Sequence, residues 1–110
     1  MNFNVLTTKP FERKVKQLAK KYISIGTDLL LLEKELTQNP NMGTSLGKNC
    51  YKIRMAITSK AKGKSGGARV ITYLRVVKNT VYLMGIYDKS EQVSISEQEL
   101  QMIIDTLAEE

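Results

Sequence analysis

Between residues 51 and 87 the apolar side chains recur at strand spacing, whereas before Asn39-Pro40 and after Ser96 they recur every third or fourth residue. That change of period constrains the fold most, because period two places one face of a strand in a core and period 3.6 does the same for a helix. Tyr51, Ile53, Met55 and Ile57 alternate with Lys52, Arg54, Ala56 and Thr58, giving a half-buried strand. A second strand follows over residues 69–77, and Lys78-Asn79 forms a tight turn into a third over residues 80–87, apolar enough to be central.

The flanking segments read as helices. Thr8 can cap a helix in which Pro10 is tolerated and Phe11, Val15, Leu18, Ala19 and Tyr22 share one face. Gly26 breaks that pattern, and Thr27 and Asp28 are the expected caps of a second helix through Leu29, Leu32 and Leu36. Ser96 and Glu99 form a capping-box pattern ahead of Leu100, Ile103, Ile104 and Leu107. Phe3, Val5 and Leu6 make a short opening strand, residues 41–49 read as a loop, and residues 59–67 as a mobile connection. The expected class is α+β: an N-terminal strand and helical hairpin, an antiparallel sheet of about three further strands, and a C-terminal helix, with the helices mainly on one face. Residues 1–110 are expected to form a single domain.

Charge then narrows the partners. No acidic side chain occurs between Glu35 and Asp88, a stretch that carries Lys48, Lys52, Arg54, Lys60, Lys62, Lys64, Arg69, Arg75 and Lys78. After Lys89 the pattern inverts, with Glu91, Glu97, Glu99, Asp105, Glu109 and Glu110 and no cation. With a net charge of +6, a basic β-face points to a polyanion, nucleic acid first. The absence of His excludes Ser-His-Asp and Cys-His catalysis, and with one Cys it argues against zinc. Cys50 alone permits no internal disulfide and fits an intracellular, cytoplasmic setting; it reads as a packed residue. No secretory signal is visible, and residues 29–32 are too short an apolar run to span a bilayer, so neither membrane nor cofactor is expected.

Three constellations carry chemistry. Lys52 and Arg54 lie two apart on a strand and project from one face, where Arg69 can converge with them. Such a cluster calls for a shared anion. Lys60, Lys62 and Lys64 on a glycine-containing segment suit phosphate gripping, against the plainer reading of a solvated loop. Lys89 follows the last strand, with Asp88 as its orienting partner or as a turn cap. Gly63-Lys64-Ser65 is not a phosphate-binding P-loop: Thr58 stands where its first glycine belongs, and a strand follows.

Residues 50–54 (Cys-Tyr-Lys-Ile-Arg), 66–73 (Gly-Gly-Ala-Arg-Val-Ile-Thr-Tyr) and 81–91 (Val-Tyr-Leu-Met-Gly-Ile-Tyr-Asp-Lys-Ser-Glu) together resemble the RelE/ParE superfamily of type II toxins, nearest its HigB-like branch. The resemblance covers roughly residues 40–108 and implies a RelE-like fold. It further implies a toxin that enters the ribosomal A site and cuts mRNA, a metal-independent endoribonuclease. A cognate antitoxin would restrain it in a higher-order assembly, the toxin alone being monomeric, and rRNA contacts are expected. Carried over by position, Lys52 and Arg54 match RNA-contacting residues, Arg69 the arginine that steadies the scissile phosphate, and Lys89 a catalytic basic residue. Many members place a catalytic Tyr a few residues further on, where this chain has Gln92-Val-Ser-Ile95.

Two other functions share these features. A ParE-like toxin would poison DNA gyrase by binding alone, since fold does not decide function. A plain RNA- or DNA-binding module would need aromatic stacking platforms, for which Tyr73 is the foremost candidate, with Tyr51 and Tyr87 behind it.

Overall fold

The apolar run of residues 80–87 becomes an interior strand of the sheet, paired along both edges. The computed structural model describes residues 2–92 and 94–108. Val93 of the Tyr-less segment, and the terminal Glu109 and Glu110, lie outside them. The elements are β1 (Asn4–Thr7), α1 (Lys9–Ala19), α2 (Ile25–Gln38), β2 (Thr44–Gly47), β3 (Cys50–Met55), β4 (Ala68–Arg75), β5 (Thr80–Asp88) and α3 (Glu97–Ala108). One-turn 3-10 helices stand at Thr58–Lys60 and Val76–Lys78. The sheet order is β1-β5-β4-β3-β2.

The α+β class and the element sequence agree with the periodicity, and the local signals act as expected at both ends. Thr8 accepts from the Phe11 amide at 3.4 Å and donates to the Leu83 carbonyl at 3.1 Å, so it caps α1 and ties it to β5. Ser96 accepts from the Glu99 amide at 3.1 Å and donates to its carboxylate at 3.3 Å, closing the capping box of α3.

Four expectations need correction. The sheet is mixed: β1 lies parallel to β5, and the other pairings are antiparallel. Both faces are covered. Phe11, Leu18, Leu29 and Leu36 of the helical hairpin pack with Ile53, Val70, Val81 and Leu83, whereas Leu100 and Leu107 of α3 pack with Cys50, Ile71, Met84 and Tyr87. β2 was hidden in residues read as a loop, because a four-residue edge strand with Leu46 as its one large apolar residue leaves no period. Finally, α2 begins after Ser24, with Gly26 in its first turn and Asp28 inside the helix rather than capping it.

One irregularity sets the chemistry of the sheet's end. Ile71 pairs with Gly85 but Thr72 with Leu83, so Met84 is an extra residue in β5. An inserted residue inverts the parity of the strand beyond it. Leu83 and Ile86 therefore both face the helical hairpin, and Met84 and Tyr87 both face α3. Asp88 follows Tyr87 and turns back toward the hairpin, where Tyr22 meets it.

Candidate nucleic-acid-binding site

At the end of the sheet, Arg54 of β3 pairs with Arg69 of β4, and Arg69 pairs with Tyr87 of β5. Directly opposite residues on neighbouring strands lie about 5 Å apart, so these three form one cross-strand row on the α3 face. Lys52 projects from the same face one row along, opposite Ile71. Arg54 is exposed and Lys52 half-buried, but Arg69 is 6% exposed. The structure thus brings Lys52, Arg54 and Arg69 together as their spacing suggested.

Among the described residues no carboxylate is paired with Arg69. Its guanidinium donates to the carbonyl oxygens of Lys64 at 2.9 Å, Ala68 at 3.2 Å and Ser65 at 3.3 Å. Carbonyl dipoles satisfy its hydrogen bonds without cancelling its charge, so burial needs no acidic partner and the patch stays positive. The bonds to Lys64 and Ser65 brace the lysine loop from beneath.

That loop is anchored at both ends. Asp28 accepts from the Thr58 amide at 3.0 Å and hydroxyl at 2.6 Å, and from Ser24 at 2.8 Å. Ser24 also accepts from the Ser59 amide at 2.8 Å. At the far end the Lys89 amide donates to the Gly67 carbonyl at 3.0 Å. Gly67 is required there, since a Cβ would stand 2.2 Å from the Met55 carbonyl oxygen. This close approach of β4 to β3 explains the second glycine of the Gly-Gly-x-Arg start.

The three loop lysines separate accordingly. Lys62 and Lys64 are exposed. Lys60 is not a phosphate-gripping loop residue: its ammonium donates to Asp88 at 2.7 Å, with side-chain exposures of 11% and 0%. Asp88 also accepts from Tyr22 at 2.5 Å and from the Ser90 amide and hydroxyl at 2.9 and 2.8 Å. Burial pushes the Asp88 carboxyl up, but the bonds from Lys60, Tyr22 and Ser90 outweigh it and hold the group well below the usual carboxylate range. Asp88 is both the turn cap anticipated and the centre of a buried lock joining the connection between α1 and α2, where Tyr22 lies, to the 3-10 turn and β5. Sequence reasoning missed that lock, because its members are distant in the chain and only the bulge at Met84 turns Asp88 toward them.

Other candidates are placed differently. Lys89 is half-buried beside Gly67, at the same end of the sheet as the row. Tyr73 sits four residues beyond Arg69, about 13 Å along the strand at about 3.3 Å per residue. It packs beneath α3 with its ring 6.4 Å from that of Tyr82, so it is not part of the patch. Tyr51 packs against the hairpin core. Tyr87, a minor candidate by sequence, is the aromatic in the row. Its hydroxyl is buried without a hydrogen-bond partner among the described residues, and burial raises its pKa against the pull of Arg69. Burial likewise pushes the Cys50 thiol up to about 11, as suits a packed residue.

The row opens at the edge of β3, beyond the end of β2. There Arg54 and Lys64 line a cleft of about 200 Å³ whose opposite wall is α2 on the hairpin side, with Asp28, Leu31, Leu32 and Glu35. Among the described residues no cluster of His, Cys, Asp and Glu is placed to hold a metal ion, and no helix is long and apolar enough to cross a membrane. The arrangement can bind anions along a face with exposed cations, and it offers donors rather than a nucleophile.

Comparison with known proteins agrees with this architecture. The family model describing the RelE toxin of the RelE/RelB toxin–antitoxin system matches residues 4–110. Among solved structures, a double arginine-to-alanine mutant of the E. coli toxin RelE in the free state aligns with a TM-score of 0.65. The two share 13% identity, over 96% of this chain and 98% of that one. At that identity the likeness establishes the fold.

Proposed function

The chain belongs to the RelE toxin family of toxin–antitoxin systems, and from that premise we propose that it is a ribosome-dependent mRNA endonuclease. The observation that carries this reading is the cluster of Lys52, Arg54 and Arg69 on one face of the sheet, flanked by Lys62 and Lys64 on a loop held in place from below, with the Lys89 backbone at the same end of the sheet. The reaction is attack of a ribose 2′-hydroxyl on the adjacent phosphorus, with departure of the 5′-oxygen. The 2′-hydroxyl proton passes to a base and the leaving oxygen gains one, giving a cyclic phosphate and a free 5′-hydroxyl. The nucleophile belongs to the substrate, so the protein has to align the strand and stabilise charge on the phosphorane-like transition state. Arg54, Lys52 and the loop lysines serve phosphate binding, and Lys52 and Lys89 are the candidates for proton transfer. Arg69 contributes its field and positions the loop.

The cognate antitoxin is the partner that the family implies, and an acidic antitoxin segment would compete with RNA for the patch. Placement in the HigB-like branch rests on the three sequence segments. A test is to induce the chain and map mRNA 5′-ends in translating and translation-blocked cells. Codon-phased cuts that vanish when ribosomes are emptied are the expected result. Intact mRNA accompanied by DNA damage would replace this reading with gyrase poisoning.

A further inference from the structure

The cleft beside the row is lined by charges of opposite sign that no ion pair joins. Arg54 and Lys64 stand on one side and Glu35 of α2 on the other. Among the described residues neither cation is paired with that carboxylate. Asp28, the other acid lining the cleft, is already committed to Thr58 and Ser24. Glu35 is exposed, and the residues three and four positions from it are Leu31, Leu32, Gln38 and Asn39, so its own helix offers it no cation. It also stands in the last turn of α2, where the helix dipole disfavours an anion. Local stability therefore does not explain an acid at this place.

Between the charges the cleft is apolar. Leu32 and Met55 are buried, Met42 is half-buried, and Leu31 is 57% exposed. Methionine thioethers make favourable contact with flat aromatic rings. At about 200 Å³ the space is smaller than the roughly 300–1,000 Å³ of pockets for drug-sized ligands, which suits a single ring system. β2 stays in register with β3 only as far as Lys52, so no paired strand closes the edge where Arg54 stands. Arg54 belongs both to the cross-strand row and to the cleft.

We propose that this cleft is a guanine-binding subsite, in which Glu35 reads the base while Arg54 and Lys64 hold a neighbouring phosphate. A carboxylate is acceptor-only and offers two oxygens side by side. The Watson–Crick edge of guanine presents two adjacent donors, N1–H and the 2-amino group. Each of the other three bases places an acceptor beside its donor, and that acceptor would face a carboxylate oxygen. Bases of single-stranded RNA are read on this edge. A lysine or arginine side chain of a protein partner would satisfy Glu35 but be repelled by Arg54 and Lys64. That the base belongs to the strand being cut rests on the nuclease reading; the preference for guanine does not.

The test is titration of the purified chain with GMP, AMP, CMP and UMP, followed by amide NMR shifts. Wild type is expected to bind GMP about tenfold more tightly than the other three, as one bidentate pair allows, with the largest shifts at residues 31–35 and 54–56. E35Q, shown to be folded by thermal unfolding, sets a donor beside an acceptor and so matches adenine; its preference should change from GMP to AMP. R54Q should weaken all four nucleotides alike. Equal affinity of wild type for the four nucleotides would overturn the proposal. So would a GMP preference unchanged in E35Q, or R54Q binding as tightly as wild type. The same chain is then incubated with mRNA-programmed ribosomes. A GMP preference that follows Glu35, beside uncut mRNA, would end the nuclease reading and leave the subsite standing.

Discussion

The two sides of the last turn of β5 differ in how completely their polar groups are satisfied. On the hairpin side, Asp88 has a full set of donors in Lys60, Tyr22 and Ser90. On the α3 side, the Tyr87 hydroxyl has no partner among the described residues, and Arg69 spends its donors on carbonyl oxygens without losing its charge. Adjacent residues of one strand thus build a closed lock and an open, positive surface. The lock reads as structure and the open side as the place where a ligand adds the missing partners.

The largest expected effect breaks the lock. Asp88→Ala leaves the Lys60 ammonium buried without its carboxylate and should cost about 3–5 kcal/mol in urea unfolding. A loss under about 1 kcal/mol would mean that the lock is not structural. The same pair has a pH signature. Because the Asp88 carboxyl lies below its unfolded value, its contribution is present above about pH 4 and is lost as pH falls through the folded value. Stability of wild type should therefore fall toward that of Asp88→Asn as pH drops below about 4, and a constant gap would contradict the assignment.

On the open side the effects on stability are smaller. Arg69→Lys keeps the charge but loses the fork that holds the Lys64 and Ser65 carbonyls. It should lose about 1–3 kcal/mol and be cleaved faster by protease at residues 61–65. K62Q/K64Q should change stability by less than about 0.5 kcal/mol yet slow RNA cleavage about tenfold or more. Equal cleavage rates would remove the loop from the site. Tyr87→Phe is the mildest change: deleting an unpartnered buried hydroxyl should leave stability unchanged or raise it by about 1 kcal/mol. A clear loss of stability would show that the hydroxyl has a partner after all and that the two sides are more alike than described.

How far the sequence foretold this division follows from the range of each signal. Lys52, Arg54 and Arg69 were legible as a cluster because strand alternation and one antiparallel pairing suffice to bring them together. The caps at Thr8 and Ser96 were legible because each acts within four residues. The lock was not, since it joins Tyr22, Lys60 and Asp88 across tertiary contacts and depends on the extra residue at Met84. Lys60, Lys62 and Lys64 look equivalent in composition, and the distant Asp88 is what separates the first from the others. The placement of α3 on the second face was implicit in β4 and β5, where Ile71, Met84 and Tyr87 form an apolar surface that a one-sided packing would leave exposed.

The most direct test is single-turnover incubation of the purified chain with mRNA-programmed ribosomes whose A site is empty, followed by identification of the RNA ends. The expected result is a cut within the A-site codon, leaving a 2′,3′-cyclic phosphate upstream and a 5′-hydroxyl downstream, and no cut in the same mRNA without ribosomes. Ribosome-bound toxin beside intact mRNA would contradict it.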